Sequence, residues 1–426
     1  MNKCIIKIGL TPSNAPFRIS NLRTFIYAYG ILLNHYNNGN NCKLIFQIED
    51  TNPNKRLHTD NQIIDFYRKI GILNDNINIE YTKQKDNTDL CEYYYHTLLN
   101  QGYIIVADNG VGYFNIKKYI NKFGQYINIS DLIKSNVVFD ANNLTENDMF
   151  AIKRSDGSYL YHFASCIDNI SLGLTHIIRG NNKLMSSAFQ TMICRSLNIK
   201  IPKFIHLPLL LEKNEDHRRN VYELLNEGYD FQPLASYLIS SGYGDSNMIY
   251  YSYNDFAKNL DISKFHIKDG NFDQNILRKN SIRYFNNVSY DDYCNNIVTT
   301  AILRNEEVPL NLLPIFYEDK LSYSQIKKHL SLLNSSEYES ISCEEKKIVD
   351  KIIPLLENHL SIPEITNTLN TISSKNIYEM IQWIFTGHKL GTSCNVLMNI
   401  YNSDYKRNVL LKKERKRNEK NTNGSM

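Results

Sequence analysis

The sequence predicts an α/β domain followed by an all-α region, on three observations. Ile5–Leu10 is a short, mostly apolar run that ends in turn residues, which is typical of a buried strand. Residues 22–36 then repeat apolar side chains at helical spacing, and Lys43–Thr51 has the pattern of a second strand that ends on an acidic pair. From Val221 onwards the chain shows amphipathic segments joined by short polar loops, as in a helical bundle or array.

Strand, polar turn, helix and strand form the opening unit of a nucleotide-binding α/β sheet, in which a ligand is expected at the carboxyl ends of the strands. Between Asp108 and Ala141 the pattern is looser, and we interpret this stretch as an inserted subdomain. The elements predicted after the opening unit are a helix at His58–Ile70, a strand at Ile77–Tyr81, a helix at Leu90–Asn100, a strand at Tyr103–Ala107, a hairpin at Asp156–Gly157, a helix at Met185–Leu197, a strand at Lys203–Leu207, and later helices at Asp292–Arg304, Ser324–Leu333, Glu344–His359 and Ser361–Ile372.

Composition restricts the class of protein. A chain of 426 residues is long enough for two or three domains. Its eight cysteines include no C-x-x-C pair, which excludes a usual zinc-ribbon spacing and does not indicate a disulfide framework. No segment resembles a signal peptide or reaches the length of a membrane span. We therefore expect a reduced, cytoplasmic protein without a membrane partner.

The net charge of +4 is concentrated near the C-terminus. From Lys406 to the end, eight Lys or Arg residues and two Glu residues give a charge of +6, so the rest of the chain is slightly acidic. Such a run is either a solvated helix end or a contact for nucleic-acid phosphates, and the sequence favours neither interpretation.

Several segments of the chain resemble the class I glutamyl-tRNA synthetase family. The family's R-F-A-P-S-P-T-G, H-I-G-G-x-R-T and R-I-E-D-T motifs are matched in frame by Lys7–Pro12, Arg18–Thr24 and Gln47–Thr51. The family's Y-H-x-A-N-V-V-D-D-x-x-x-G-I-T-H-V-I-R-G is similar to Tyr161–Gly180, and a weaker likeness falls at Trp383–Gly391. The resemblance extends to about residue 412 and is strongest over residues 1–250.

This resemblance implies a Rossmann-like class I synthetase catalytic domain with an inserted acceptor-binding subdomain, then a helical linker and a helical anticodon-binding region. The implied boundaries are 1–245 for the catalytic domain with its insertion at about 82–148, 246–315 for the helical stem-contact region, 316–412 for the anticodon-binding region and 413–426 for a basic tail. The implied cofactor is ATP with Mg²⁺, and the implied partners are glutamate and a glutamate-type tRNA, bound by a monomer. Some family members carry a cysteine-rich zinc knuckle in the insertion, but this chain has no cysteine between residues 91 and 166, so no zinc is expected.

For glutamate, the resemblance implies binding by Lys7, Thr11, Glu49, Tyr161 and Arg179. A glutamate pocket needs a cation for the side-chain carboxylate and a carboxylate for the α-ammonium group, because charge-assisted hydrogen bonds give both affinity and orientation. Lys7 replaces an arginine of the family and cannot make its planar two-pronged contact. Taken singly, each residue has another interpretation: a surface charge for Arg179, a strand-end cap for Glu49, a core aromatic for Tyr161.

Both phosphate-facing signatures depart from the family pattern. Arg18 and Ser20 replace the His and Gly of the H-I-G motif, where a helix N-terminus faces phosphate. The lysine-rich K-[LM]-S-K-[RS] loop is replaced by Glu212–Asn220, which contains three acidic residues. The residues implied for nucleotide contact are Gly9, Ser20 and Asn21, and the cations that remain for catalysis are Arg18, Arg218 and Arg219.

Two functions stay open. The first is a divergent glutamate–tRNA ligase, and the second is a catalytically inactive paralogue that binds tRNA or glutamate as a regulator. A plain helical scaffold with an inherited α/β domain is disfavoured, because it does not explain why Thr11, Glu49, Tyr161 and Arg179 occur together.

Overall fold

The structure is a computed structural model. It describes residues 3–10, 17–49, 60–71, 77–144, 149–212, 219–334, 339–358, 360–386, 389 and 393–402. Three sequence predictions lie outside the described residues, namely those for Thr11, for Arg218 with its loop 213–218, and for the basic tail.

The described chain contains the following strands, numbered in chain order: β1 Lys3–Leu10, β2 Asn41–Ile48, β3 Asn78–Lys83, β4 Ile104–Val106, β5 Gly112–Asn115, β6 Tyr126–Asp131, β7 Ser135–Asp140, β8 Met149–Lys153, β9 His176–Gly180, β10 Lys203–Leu207, β11 Leu210–Leu211 and β12 Gly270–Asn271. The α-helices are α1 Ile19–Asn37, α2 Asp60–Lys69, α3 Thr88–Asn100, α4 Ile116–Phe123, α5 Tyr161–Ser171, α6 Leu184–Ser196, α7 Val221–Asn226, α8 Phe231–Ser240, α9 Tyr253–Lys258, α10 Gln274–Asn287, α11 Tyr290–Leu303, α12 Leu313–Glu318, α13 Tyr323–Asn334, α14 Cys343–Glu357, α15 Ile362–Thr368, α16 Ser374–Thr386 and α17 Cys394–Asn402.

The main sheet has the strand order β3-β2-β1-β9-β10-β6-β7. All neighbouring strands pair in parallel except the edge pair β6 and β7, which is antiparallel. The register of β1 on β2 runs from Lys3 opposite Asn41 to Leu10 opposite Ile48, so the two strands end together. A separate three-stranded antiparallel sheet is formed by β4, β5 and β8. The α/β architecture predicted for the N-terminal part is thus present.

Helix α1 is the buried core of the first part of the chain. Twelve of its residues are buried, on all sides, because it lies between the sheet and later helices. Gly30 allows this packing, since a Cβ there would overlap the ring of Phe256 in α9. The Asn34 side chain donates to the carbonyl of Ala257 at 2.9 Å and ties the same two helices together.

The chain divides into two compact units, one built from residues 1–227 and 231–284, the other from residues 228–230 and 285–426. The described residues of the second unit are helical, as the amphipathic pattern predicts. Within it Tyr293 donates to the carbonyl of Leu321 at 2.8 Å, and Trp383 donates to the carbonyl of Glu339 at 2.8 Å.

Element boundaries agree with the predictions to within a few residues in most cases. The strand at Lys203–Leu207 is found as predicted, and the helix predicted at Met185–Leu197 is α6. The helix predicted at Ser361–Ile372 is shorter and ends at Thr368. In the described residues no helix is long and apolar enough to span a bilayer.

Candidate functional site

A cavity of about 530 Å³ opens at the carboxyl ends of β1, β9 and β10. Because β1, β2, β9 and β10 are parallel, their last residues converge on one edge of the sheet. The site residues predicted from the sequence that line this cavity are Lys7, Gly9, Ser20, Asn21, Glu49, Tyr161 and Arg179.

Two cations are held in the floor of the cavity. Arg179, on β9, is buried, and burial lowers the pKa of its guanidinium below the usual value while Tyr161 opposes that shift. Its Nε atom is buried and has no hydrogen-bond partner among the described residues. Lys7, on β1, is half-buried and donates to Gln47 Oε1 at 2.8 Å. Burial lowers the pKa of Lys7 as well, although the nearby carboxylates of Asp168 and Glu49 act in the opposite direction.

The orientation of Arg179 is fixed by a buried chain of polar side chains. Its Nη2 donates to Ser187 Oγ from α6, and Ser187 Oγ lies 2.7 Å from Nε2 of His206 on β10. His206 Nδ1 lies 2.7 Å from Asp131 Oδ2 at the end of β6, and the backbone N–H of His206 donates to the same oxygen at 2.9 Å. Burial lowers the pKa of His206 despite the bond to Asp131. Burial pushes the pKa of Asp131 upwards, but its hydrogen bonds with His206 and the Lys134 backbone outweigh that effect and hold it below the usual value.

A neutral His206 with its proton on Nδ1 donates to the Asp131 carboxylate, so its Nε2 is an acceptor for the Ser187 hydroxyl, which also lies 3.2 Å from the carbonyl of Lys183. Ser187 Oγ is then left as the acceptor for Arg179.

Glu49 supplies a negative charge to the cavity. It directly follows β2, and its backbone N–H donates to the carbonyl of Leu10 at 3.0 Å. Gly9 makes room for it, because a Cβ at that position would overlap the Glu49 carboxylate. Burial and then Glu49 raise the pKa of Tyr161, whose ring lies 4.9 Å from the ammonium group of Lys183.

The first turn of α1 forms another wall. Ser20 and Asn21 line the cavity together with Thr24, whose hydroxyl donates to the carbonyl of Ser20 at 3.0 Å. Helix α1 has 19 residues, and the partial positive charge of its N-terminus suits an anion such as phosphate.

The two segments that depart from the family's signatures are adjacent where the structure describes both of them. Arg18 pairs with Asn220 in an isolated antiparallel bridge, and the N–H of Ile19 donates to the carbonyl of Arg219 at 3.2 Å. Neither Arg18 nor Arg219 lines the cavity. Arg219 Nη1 lies 3.0 Å from both carboxylate oxygens of Glu227, and its guanidinium stacks 5.4 Å from the ring centroid of Phe272.

Sequence reasoning missed several residues that line or support the cavity. Lys183 and Glu212 line it; Lys183 lies just beyond the matched segment Tyr161–Gly180, and Glu212 begins the segment that replaces the lysine-rich loop. Ser187, His206 and Asp131 have no signal that connects them, because they come from three separate elements. In the described part of the chain, no group of three or more His, Cys, Asp or Glu side chains is placed to hold a metal ion.

Comparisons with known proteins find similarity to a tRNA synthetase catalytic domain and to glutamate–tRNA ligases. Residues 114–243 match the family described as tRNA synthetases class I (E and Q), catalytic domain. A glutamate–tRNA ligase of Aquifex aeolicus is 24% identical over 405 residues, which is 84% of this chain and 80% of that protein. A glutamate–tRNA ligase of Blochmanniella floridana is 24% identical over 205 residues, which is 47% of this chain and 41% of that protein.

A solved structure shares the fold. The crystal structure of a glutamate tRNA ligase from Elizabethkingia meningosepticum in complex with its amino acid superposes with a TM-score of 0.65 at 16% identity, over 97% of this chain and 99% of that one. At this identity the likeness establishes the architecture, an α/β N-terminal part followed by a helical region.

Proposed function

We propose that this chain, a distant relative of the glutamate–tRNA ligases whose residues 114–243 match the class I tRNA synthetase (E and Q) catalytic domain, activates glutamate with ATP and attaches it to tRNA. The observation that carries the proposal is the charge pattern of the cavity. Arg179 and Lys7 offer two cations and Glu49 offers one carboxylate, which complements the two carboxylates and one ammonium group of glutamate, while Lys183 and Glu212 add a further charge of each sign to the lining.

In this proposal Arg179 binds the side-chain carboxylate of glutamate through its unpartnered Nε. Glu49 accepts from the α-ammonium group, and Tyr161 orients the substrate between them. Lys7 contributes a second positive charge rather than a bidentate contact. Charge-assisted hydrogen bonds of this kind are about twice as strong as neutral ones. Thr11 is expected to contact glutamate as well.

ATP, as its Mg²⁺ complex, is proposed to place its phosphates against the first turn of α1, at Gly9, Ser20 and Asn21. An oxygen of the α-carboxylate of glutamate attacks the α-phosphorus, and pyrophosphate leaves to give glutamyl-adenylate. A ribose hydroxyl of the tRNA then attacks the activated carbonyl and releases AMP. Lys183 lines the cavity and supplies a cation beside the charge that develops, with Arg18, Arg218 and Arg219 as further candidates.

The finer domain assignment belongs to the same proposal. The catalytic domain covers 1–245 with an acceptor-stem-binding insertion at about 82–148, and residues 246–315 form the stem-contact region. Residues 316–412 bind the anticodon, and residues 413–426 form a basic tail. A glutamate-type tRNA is the expected partner of a monomeric, cytoplasmic protein, and no zinc is expected.

A regulator that binds glutamate without activating it is the second candidate. Two observations favour it: Arg219 is ion-paired with Glu227, and Glu212 adds a negative charge to the cavity where phosphates would lie. Both features weaken the electrostatic stabilisation of a transferring phosphate.

The test combines glutamate binding with ATP–pyrophosphate exchange, measured with and without tRNA. Arg179→Gln removes a buried charge partner and is expected to reduce glutamate affinity by about 2–5 kcal/mol in calorimetry. Arg154→Gln, at an exposed arginine in the turn after β8, is the control and should bind as the wild type does. Equal affinity of wild type and Arg179→Gln would refute the glutamate pocket.

ATP–pyrophosphate exchange distinguishes the ligase from the regulator. A ligase exchanges pyrophosphate with glutamate and not with aspartate, whereas a regulator binds glutamate without exchange. If exchange is absent, residues 213–218 can be replaced by a lysine-rich K-L-S-K-type segment. Glu212, Arg219 and Asn220 should be kept, because Glu212 accepts from the Arg219 backbone at 2.8 Å and Asn220 caps α7. Restored exchange would show that the acidic loop alone had removed activity.

A further inference from the structure

A second cavity, of about 710 Å³, lies at the opposite end of the same strands. Lys3, His176 and Lys203 line it, and they are the first residues of β1, β9 and β10. Asn169, Leu174 and Ile177 line both cavities, so a thin wall separates this cavity from the candidate site.

The rim of the second cavity is cationic. Lys3, Lys200 and Lys203 are exposed and line it, and its described lining contains no Asp or Glu. Helices α1, α5 and α6 end on this side of the sheet, and each helix C-terminus carries about half a negative charge. Three full ammonium charges outweigh these partial charges, so the rim attracts anions.

Two histidines lie within this cationic cavity. The rings of His35 and His176 line the cavity with their centroids 5.3 Å apart. Burial, then His35 and Lys203, lower the pKa of His176 to about 4. Burial and then Lys203 also lower the pKa of His35. Both imidazoles are therefore neutral at pH 7, and a bound anion would favour their protonation.

The floor of the cavity contains an unsatisfied amide. Gln190, on α6, lines the cavity and is 2% exposed, and neither its amide nitrogen nor its amide oxygen has a partner among the described residues. Leaving such a group unpaired costs about 1–3 kcal/mol, which a complementary ligand would recover. Cys166, Cys194 and Phe204 give the rest of the floor an apolar character.

We propose that this cavity binds a small phosphorylated molecule with a planar, hydrogen-bonding head, the class to which nucleoside monophosphates belong. Its phosphate lies among Lys3, Lys200 and Lys203, and its head pairs with the Gln190 amide. A primary amide complements adjacent donor and acceptor groups, as it does on the edge of adenine. The volume falls within the range of small-molecule sites, and a deep site with a buried amide favours a small ligand over a nucleic-acid backbone. This site does not depend on the proposed function.

The probes are AMP, GMP, CMP and UMP, with inorganic phosphate and the matching nucleosides as separate arms, in calorimetry on the full chain. At least one monophosphate should bind ten times more tightly than phosphate or its nucleoside. Lys200→Glu/Lys203→Glu should weaken that binding at least tenfold. Lys258→Glu/Lys268→Glu, an equal charge change at exposed lysines outside the cavity, should alter it less than twofold.

Two further readouts locate the ligand. Gln190→Leu should weaken binding of the monophosphate several-fold and leave phosphate binding unchanged. In proton NMR, the bound monophosphate should raise the pKa of His176 by one unit or more. Binding that survives Lys200→Glu/Lys203→Glu, or an absence of binding by all four monophosphates at millimolar concentration, would overturn the proposal.

Discussion

At the scale of single residues, the candidate site depends on side chains that never meet a substrate. Arg179 is one of the two cations in the floor of the cavity, and Ser187 holds it, while His206 and Asp131 hold Ser187. All four side chains are buried, so each polar atom that loses its partner carries a full desolvation cost. Ser187 is therefore a positioning residue, and its loss is expected to change the orientation of Arg179.

Ser187→Ala tests this positioning. It removes the acceptor for Arg179 Nη2 and the partner of His206 Nε2, and an unsatisfied buried group costs about 1–3 kcal/mol. Glutamate affinity should fall by about five- to 150-fold in calorimetry. Ser196→Ala, in the same helix, is the control, because Ser196 Oγ is buried without a partner among the described residues and should leave affinity unchanged. Equal affinities of the two variants would show that Arg179 is held by other contacts.

Gly9 leads to a second prediction at this scale. Gly9→Ala should displace the Glu49 carboxylate, since the new Cβ would overlap it, and should weaken glutamate binding at least tenfold. The effect should vanish once Glu49 is gone, so Gly9→Ala should add less than about 0.5 kcal/mol in a Glu49→Ala background. A double-mutant cycle of glutamate affinities measures this coupling. Additive losses would mean that Gly9 acts on the backbone instead.

Single site residues were predictable from the sequence where their position on a strand determines the edge of the sheet at which they lie. Lys7, Glu49 and Arg179, which the family resemblance indicated, lie on or directly after strands that end at one edge of a parallel sheet, and they therefore line one cavity. The Ser187–His206–Asp131 chain was not predictable, because it depends on β6 joining β10. The ion pair between Arg219 and Glu227 was not predictable either, since nothing in the sequence indicates where the side chain of a loop arginine points.

At the scale of elements, the start of α13 depends on a buried acid. The Asp230 carboxylate accepts from the backbone N–H of Tyr323 at 3.0 Å and from Asn296 Nδ2 at 3.0 Å. It is 2% exposed, and burial raises its pKa to about 7 despite these bonds. A carboxyl group with a raised pKa stabilises the fold fully below its unfolded pKa of 3.8 and loses that contribution as the pH rises to about 7.

Asp230→Asn should remove this pH dependence. A shift of about three pKa units corresponds to about 4 kcal/mol. The free energy of unfolding of the variant, relative to wild type, should therefore rise by up to that amount between pH 4 and pH 8 in urea denaturation. Asn still accepts from Tyr323, and the Asn296 amide can turn to present its oxygen. Asp350→Asn, at an exposed residue of α14, should show no such trend, and a flat difference for Asp230→Asn would refute the assignment.

The helices and strands were mostly predictable from the sequence, but the pairing of the strands was not. The sequence locates α6 and β10 by their apolar residues, although α6 is buried on nearly all sides and β10 is buried without alternation from its second residue to its last. The strand predicted at Tyr103–Ala107 reads as a continuation of the α/β pattern, but β4 pairs with β5 in a separate antiparallel sheet. Pairing between strands far apart in the chain depends on tertiary packing, which local pattern does not encode.

At the scale of the whole molecule, the charged cavities and the two kinds of architecture fall in different parts of the chain. Both cavities are lined by residues of the α/β unit, where the strand ends bring charged side chains together. The order of α/β and helical parts follows from a change in hydrophobic period near residue 221, which is why it was predictable. The basic segment beyond Leu411 lies outside the described residues, so its role rests on its charge alone.

That charge gives a prediction for tRNA binding. If the segment contacts tRNA phosphates, deleting residues 412–426 removes six Lys or Arg residues and should weaken tRNA binding at low salt. The slope of log K against log salt should become shallower by about 0.7–0.9 for each phosphate that the shortened chain can no longer neutralise. Deleting only residues 421–426, which carry no charged side chain, is the matched control and should leave the slope as in the full chain. Filter binding between 50 and 300 mM salt, roughly the range over which such contacts weaken strongly, measures both slopes. Equal slopes for the long and short deletions would assign these cations to solvated surface rather than to an RNA contact.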